Sequence, residues 1–200
     1  MSNTKQPQIW VHVHFIGVQV RILGVTEDSR FLAGGRIAFI KLMKALAYAG
    51  NSVTILSSIG ATLGVVDPQP ARIIRINVTQ ARIVGPLLYL FKLFFHLPRQ
   101  IPQAEIILVN SGYTVYIVAL LGRLFRRKVI VLQHDVLGLE YLQSIASTTS
   151  RKYTSVLRWI TIYTPLRIVD GVLCISDSTM RRLRGMGYSG PAYVVGNVVG

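Results

Sequence analysis

The side chains of this 200-residue chain that could do chemistry collect in small groups directly after apolar runs. Glu27-Asp28 follow the run 20–25, Asn110-Ser111 follow 106–109, and His134-Asp135 follow 129–132 with Gln133 between. Ser176-Asp177 follow 172–175, and Asn197 follows 192–195. If each run is a strand, these groups share the carboxyl edge of a sheet, where an open parallel sheet binds its ligands. Asp, Ser and Asn at such places also cap the helices that come next. Five groups on one edge, one of them carrying a histidine, point to a ligand cleft as well as to capping. A glycine pair, Gly34-Gly35, adds to this. It precedes a helix whose first backbone N–H groups lack intrahelical acceptors and can face an anionic ligand.

The elements that position these groups follow from pattern. In the helix after the pair, Phe39, Leu42, Met43 and Leu46 fall at i, i+3, i+4, i+7 and make one apolar stripe. Gly50 stands where a left-handed residue ends a helix. With strands at 20–25 and 53–56, the stretch is a strand–loop–helix–strand unit, the glycine pair lying in the loop 32–36. The loop 58–70 and a strand at 72–78 come next. Pro86 then opens a helix at its favoured first position, over 87–97. Strand 105–109, helix 113–125, strand 129–132, strand 172–175, helix 179–186 and strand 192–195 complete the order. A basic amphipathic candidate spans 151–168, bent or ended by Pro165. Apolar strands alternating with helices predict an α/β fold, doubly wound around a mostly parallel, Rossmann-like sheet.

The helix over 87–97 is apolar on nearly every side, with Tyr89, Phe91, Phe94 and Phe95 beside Lys92 and His96. It reads either as a buried helix or as one lying in a lipid interface, where aromatic and basic residues mix. In the run 9–15, His12 and His14 share one strand face. They could ligate a metal, but no third ligand is near, and a half-solvated strand face is the better account of them. Residues 1–18 read as an amino-terminal extension and 19–200 as the domain.

Charge is scarce but lopsided, 22 Lys and Arg against 8 Asp and Glu, a net +14. A chain this basic favours polyanions: anionic lipid, phosphorylated substrates or nucleic acid. Nucleic acid ranks last, because neither an RNA-binding aromatic signature nor a helix-turn-helix pattern is present. The lone Cys174 cannot form an internal disulfide, which fits a reducing cytosol. No run reaches the roughly 18 apolar residues of a spanning helix, and the first residues show no cleavable signal. The expected location is the cytoplasm, or the periphery of the membrane's inner face.

Gly34-Gly35 with the helix after it, and then Ala49-Gly50-Asn51-Ser52-Val53-Thr54-Ile55-Leu56, resemble the opening of the retaining glycosyltransferases of the two-domain GT-B architecture, family 4-like. The run 104–135 is similar to their next signature, ending in His134. Val169-Asp170-Gly171 through Ser176, and on to Asn197, resembles the end of their amino-terminal domain. The resemblance covers roughly residues 20 to 200. It implies transfer of a sugar, with retention and without a metal or other cofactor, from a nucleotide-sugar donor to a sugar or lipid-linked acceptor held by this domain. Gly34 and Gly35 would approach the donor diphosphate or the acceptor. His134 would contact the reacting sugar as the catalytic residue, or else orient the adjacent loop. Asn110, Ser111, Ser176 and Asn197 would bind substrate. Arg36 departs from the family's usual Ala-Glu, and Gly196-Asn197-Val198 from its Pro-Asn-Gly. The chain stops where the family's donor-binding second domain begins. The expectation is therefore a fragment or one subunit of a split enzyme, inactive until joined to that domain.

The alternative is a non-catalytic Rossmann-like module on an anionic membrane surface or polyanion, its charge concentrated in 123–128, 151–152 and 181–184. A dinucleotide oxidoreductase is disfavoured. No G-x-G-x-x-G follows the first strand, and no acidic residue closes the second.

Overall fold

The computed structural model describes residues 19–26, 34–58, 70–78, 84–110, 112, 114–134 and 164–196. Seven strands form one sheet: β1 (Arg21–Thr26), β2 (Ser52–Ser58), β3 (Arg72–Ile76), β4 (Ile106–Asn110), β5 (Lys128–Gln133), β6 (Gly171–Cys174) and β7 (Ala192–Val194). Their spatial order is β3-β2-β1-β4-β5-β6-β7, and every pairing is parallel. The expected doubly wound α/β sheet is the one observed. The strand sequence runs outward from β1 to β3, then resumes at β4 on the other side of β1. The β1–β4 junction is thus a switch point, where a crevice opens at the carboxyl edge.

Helices α1 (Gly34–Tyr48), α2 (Val84–Gln100), α3 (Val115–Leu124) and α4 (Asp177–Gly185) flank the sheet. Alternation along the strands decides which residues meet which helix. Ile22, Val53, Ile55, Leu108 and Leu132 pack with Phe39 and Met43 of α1. Leu23, Val25, Ile107, Val109, Val129 and Val131 face the other way, onto Tyr89, Leu93 and Leu97 of α2, Val118 of α3 and Leu183 of α4. The stripe read from the sequence is the buried one, with Phe39 and Met43 fully inside and Leu42 and Leu46 packed at its margin. Each such buried side chain contributes about 1.5–3 kcal/mol. Gly50 ends this helix region at φ +89°, and the Asn51 side chain joins Leu46 O to Val20 N, tying the helix end to the entry of β1.

Most boundaries shift by one or two residues, and two of the differences bear on the site and the core. The glycine pair is not in a loop before α1 but forms its first two residues. Helix α2 begins two residues before Pro86 and continues past Pro98 to Gln100. Pro86 falls in the first turn, where its N–H would have no intrahelical acceptor. Pro98 gives up the bond to Phe94 O, and the chain holds its course there because Leu97 before it and Ile101 after it are fully buried. The expectations for residues 1–18, for the loop 58–70 beyond Ser58, and for most of the amphipathic stretch 151–168 lie outside the described residues. Its end forms a short helical turn, Thr164–Leu166, that contains Pro165.

Candidate functional site

The same alternation that buries Ile22, Leu108 and Leu132 against α1 carries on to the sheet's edge. Two residues further along each strand stand Asn110 on β4 and His134 just past β5; four further along β1 stands Thr26. All three therefore project to the α1 side, at the switch point and its neighbour strand. Asn110 is buried, and both ends of its amide are engaged. Its Nδ2 donates to Thr26 Oγ1 at 3.4 Å. Its Oδ1 lies 2.7 Å from His134 Nε2. A carbonyl oxygen only accepts, so in this arrangement Nε2 carries the ring proton and Nδ1 presents a lone pair. That Nδ1 is buried and has no hydrogen-bond partner among the described residues. From β6 and α4, Thr179 Oγ1 reaches the His134 carbonyl at 3.5 Å.

The first turn of α1 lies directly against this imidazole. A Cβ on residue 35 would sit 2.8 Å from His134 Cγ and 2.9 Å from Cδ2, closer than side chains tolerate. Glycine at 35 is thus required by close approach, with the imidazole itself as the approaching group. Burial lowers the His134 pKa from 6.5 to about 4, because a charged ring would lose its hydration. The nearby helix N-terminus disfavours a cation in the same sense. At neutral pH the ring is an uncharged hydrogen-bond acceptor. Taking up a proton there at pH 7 would cost about 4 kcal/mol, which makes it a poor general base.

Of the residues singled out from the sequence, Gly35, Asn110 and His134 converge on this one place, with Gly34 preceding Gly35 as the first residue of α1. Ser176 sits at the same edge on the next strand, but its hydroxyl is occupied as the N-cap of α4. It accepts from Thr179 N at 3.1 Å and lies 2.9 Å from Thr179 Oγ1. Capping, one of the two uses open to the strand-end residues, is what the geometry gives at Ser176. Ser111 and Asn197 lie outside the described residues. Two contributors escaped the sequence reading. Thr26 ends β1 one residue before Glu27, and Tyr89 of α2 donates from its hydroxyl to Thr26 O at 2.7 Å across the buried core. The alternation Ile22-Gly24-Thr26 was the available signal for the first; the second has no local signature. Among the described residues no group of three or more His, Cys, Asp or Glu is placed to hold a metal ion.

A seven-stranded parallel sheet with its polar groups at the switch point defines a Rossmann-like domain of the kind that makes up half of a GT-B enzyme. Its relations agree. The chain resembles Phytolacca americana UGT2, solved with UDP-2fluoro-glucose and pterostilbene, at TM-score 0.64 and 12% identity, over 92% of this chain and 55% of that one. Anabaena Alr3699/HepE, solved with UDP and glucose, matches at TM-score 0.61 and 16% identity, over 90% and 45%. MurG of Acinetobacter baumannii matches at TM-score 0.51 and 16% identity, over 80% and 42%. The chain spans about half the length of these structures. No protein of curated function matches its sequence. Residues 33–199 match the profile of Glycosyltransferase Family 4, and the chain belongs to that family.

Proposed function

We propose that this chain is the acceptor-side, amino-terminal half of a retaining glycosyltransferase, with a second donor-binding domain or subunit supplying the other wall of the cleft. The observation that carries the reading is the meeting of Gly35, Asn110 and His134, from three separate elements, around an unpartnered Nδ1 at the switch point. The solved relatives bound to UDP, UDP-2fluoro-glucose or glucose support a nucleotide-sugar as co-substrate, and the reaction calls on no further cofactor.

In such a transfer the bond from the sugar's anomeric carbon to the diphosphate breaks, and a bond to an acceptor hydroxyl oxygen forms. The hydroxyl proton must leave. His134, neutral and with a pKa of about 4, accepts a hydrogen bond from a sugar hydroxyl once Nδ1, buried in the free chain, is uncovered to the cleft; the departing phosphate is the base that takes the proton. Asn110 acts through His134 as a positioning residue, holding the tautomer that leaves Nδ1 free to accept. Gly34 and Gly35 open the α1 N-terminus, whose N–H groups suit an anionic phosphate of donor or acceptor. Ser111 and Asn197 are proposed to bind substrate on the family resemblance alone, while the Ser176 hydroxyl serves α4 as its cap.

Joined to a donor-binding half, Gly35→Glu and His134→Ala each abolish sugar transfer, measured as product formed from a radiolabelled nucleotide-sugar. Near-normal turnover in both variants removes the site assignment. The alternative, a non-catalytic module at an anionic membrane surface, is favoured by the net charge of +14 and by the exposed aromatic side of α2. The two readings are compatible if the acceptor is carried on a lipid.

A further inference from the structure

Helix α2 buries Tyr89, Leu93 and Leu97, and so settles which of its apolar sides faces the core. The other side is also apolar. Leu87, Phe91, Phe94 and Phe95 stand outward at i, i+4, i+7 and i+8, with Phe91 63% and Phe95 56% exposed. Phe95 meets Phe91 and Phe94 edge to face, at centroid distances of 4.9 and 5.7 Å. Helix α3 lies beside α2 on the same face of the sheet, and its outward side adds Leu120 and Leu124, the latter 72% exposed. At about 200 Å² per aromatic side chain, the three rings alone leave on the order of 300 Å² bare. With three leucines added, the ridge reaches the size of the largest patches that monomers leave uncovered, patches that commonly mark an interaction site. Nothing among the described residues covers it.

The charge around this ridge identifies its occupant. Residues 84–134 contain Lys92, Arg99, Arg123, Arg126, Arg127 and Lys128, and a single acidic residue, Glu105. Glu105 is already bonded to Arg21 at 3.1 Å. Arg99, Arg123 and Arg126 are exposed at the end of the ridge where α2 and α3 finish. A second copy of the chain would bring the same positive rim against itself. A nucleic-acid duplex would meet the arginines with its phosphates and leave the rings in water. Apolar rings bordered by arginines suit the boundary between acyl chains and anionic head groups.

We infer that the α2–α3 ridge, Leu87, Phe91, Phe94, Phe95, Leu120 and Leu124 with Arg99, Arg123 and Arg126, docks the protein on an anionic lipid bilayer. Because α2 and α3 lie on the sheet face away from α1, docking leaves the α1 side, onto which Asn110 and His134 project, turned away from the bilayer, with the carboxyl edge running along its surface. That the acceptor is lipid-anchored rests on the transfer reading. The docking itself does not.

The test is sedimentation of the full chain with vesicles of phosphatidylcholine mixed with phosphatidylglycerol, and of phosphatidylcholine alone, at low and high salt, with no donor present. The chain sediments with the mixed vesicles at low salt and weakly with neutral ones. The pair Phe91→Ser with Phe95→Ser lowers partitioning about tenfold on the mixed vesicles. Arg123→Gln and Arg126→Gln each lower it about fivefold there and leave the neutral vesicles unaffected. All four positions are exposed, and unfolding curves matching wild type show that the variants fold. Phe95→Trp emission moves to the blue when mixed vesicles are added. His134→Ala binds vesicles as wild type does, which separates failure of docking from failure of the transfer site. Wild type that stays in solution, a serine pair that binds undiminished, or a ridge whose loss abolishes only self-association in the ultracentrifuge overturns the inference.

Discussion

Consider an alanine placed at Gly35. Its methyl would lie 2.8 Å from His134 Cγ and 3.1 Å from His134 Cβ, and neither the ring nor the first turn of α1 can yield without cost. The ring is held by Asn110 through a 2.7 Å hydrogen bond, and α1 is anchored by the fully buried Phe39 and Met43. Overpacking of this kind costs about 1–3 kcal/mol, and disturbing the His134–Asn110 bond about 1 kcal/mol more. Alanine is the better helix former, which returns up to about 1 kcal/mol. Gly35→Ala is therefore destabilising by about 1–3 kcal/mol, a fall of about 2–4 °C in Tm for each kcal/mol. With His134→Ala as background the obstacle is gone and only the propensity gain remains, so the same substitution becomes stabilising by about 0.5–1 kcal/mol. A double-mutant cycle by urea unfolding reads the coupling directly. Equal effects of Gly35→Ala in the two backgrounds would show that the imidazole does not lie over α1, and the site would have to be redrawn.

Two further expectations rest on the same geometry. His134 has a folded-state pKa near 4 against 6.5 unfolded, so above pH 6.5 its titration leaves stability untouched, and between pH 6.5 and 4 only the unfolded chain takes the proton. Wild type then loses about 3 kcal/mol more than His134→Gln over that window, and parallel stability–pH profiles for the two proteins would contradict it. Tyr89→Phe removes the hydroxyl that reaches Thr26 O at 2.7 Å in a buried setting. It lowers stability by about 1–3 kcal/mol in thermal unfolding, and a Tm equal to wild type would mean that this bond does not hold the end of β1.

Much of the architecture was legible along the chain because its causes are local. The stripe through Phe39 and Met43, the stop at Gly50 and the uninterrupted apolar runs of β4, β5 and β6 each act within a few residues. Alternation of such segments leaves a doubly wound parallel sheet as the natural arrangement. The polar group after each strand was visible for the same reason, since a strand's end and its neighbouring cap are contiguous in sequence. His134 and Asn110 could therefore be nominated from the sequence. What they do to each other could not, because they lie 24 residues apart and meet only when β4 and β5 pair with Asn110 opposite Leu132.

The remaining choices belonged to tertiary structure. Ser176 and Asn110 look alike in the sequence, each a polar residue closing an apolar run. Only packing makes one a helix cap and the other the residue that holds an imidazole. Gly35 could have served a ligand or a neighbour, and the three-dimensional arrangement brings His134 over it. Helix α2 is apolar on two sides, so its periodicity could not say which side would be buried. The position of the sheet beneath Tyr89, Leu93 and Leu97 decided that, and in doing so left three phenylalanines facing outward.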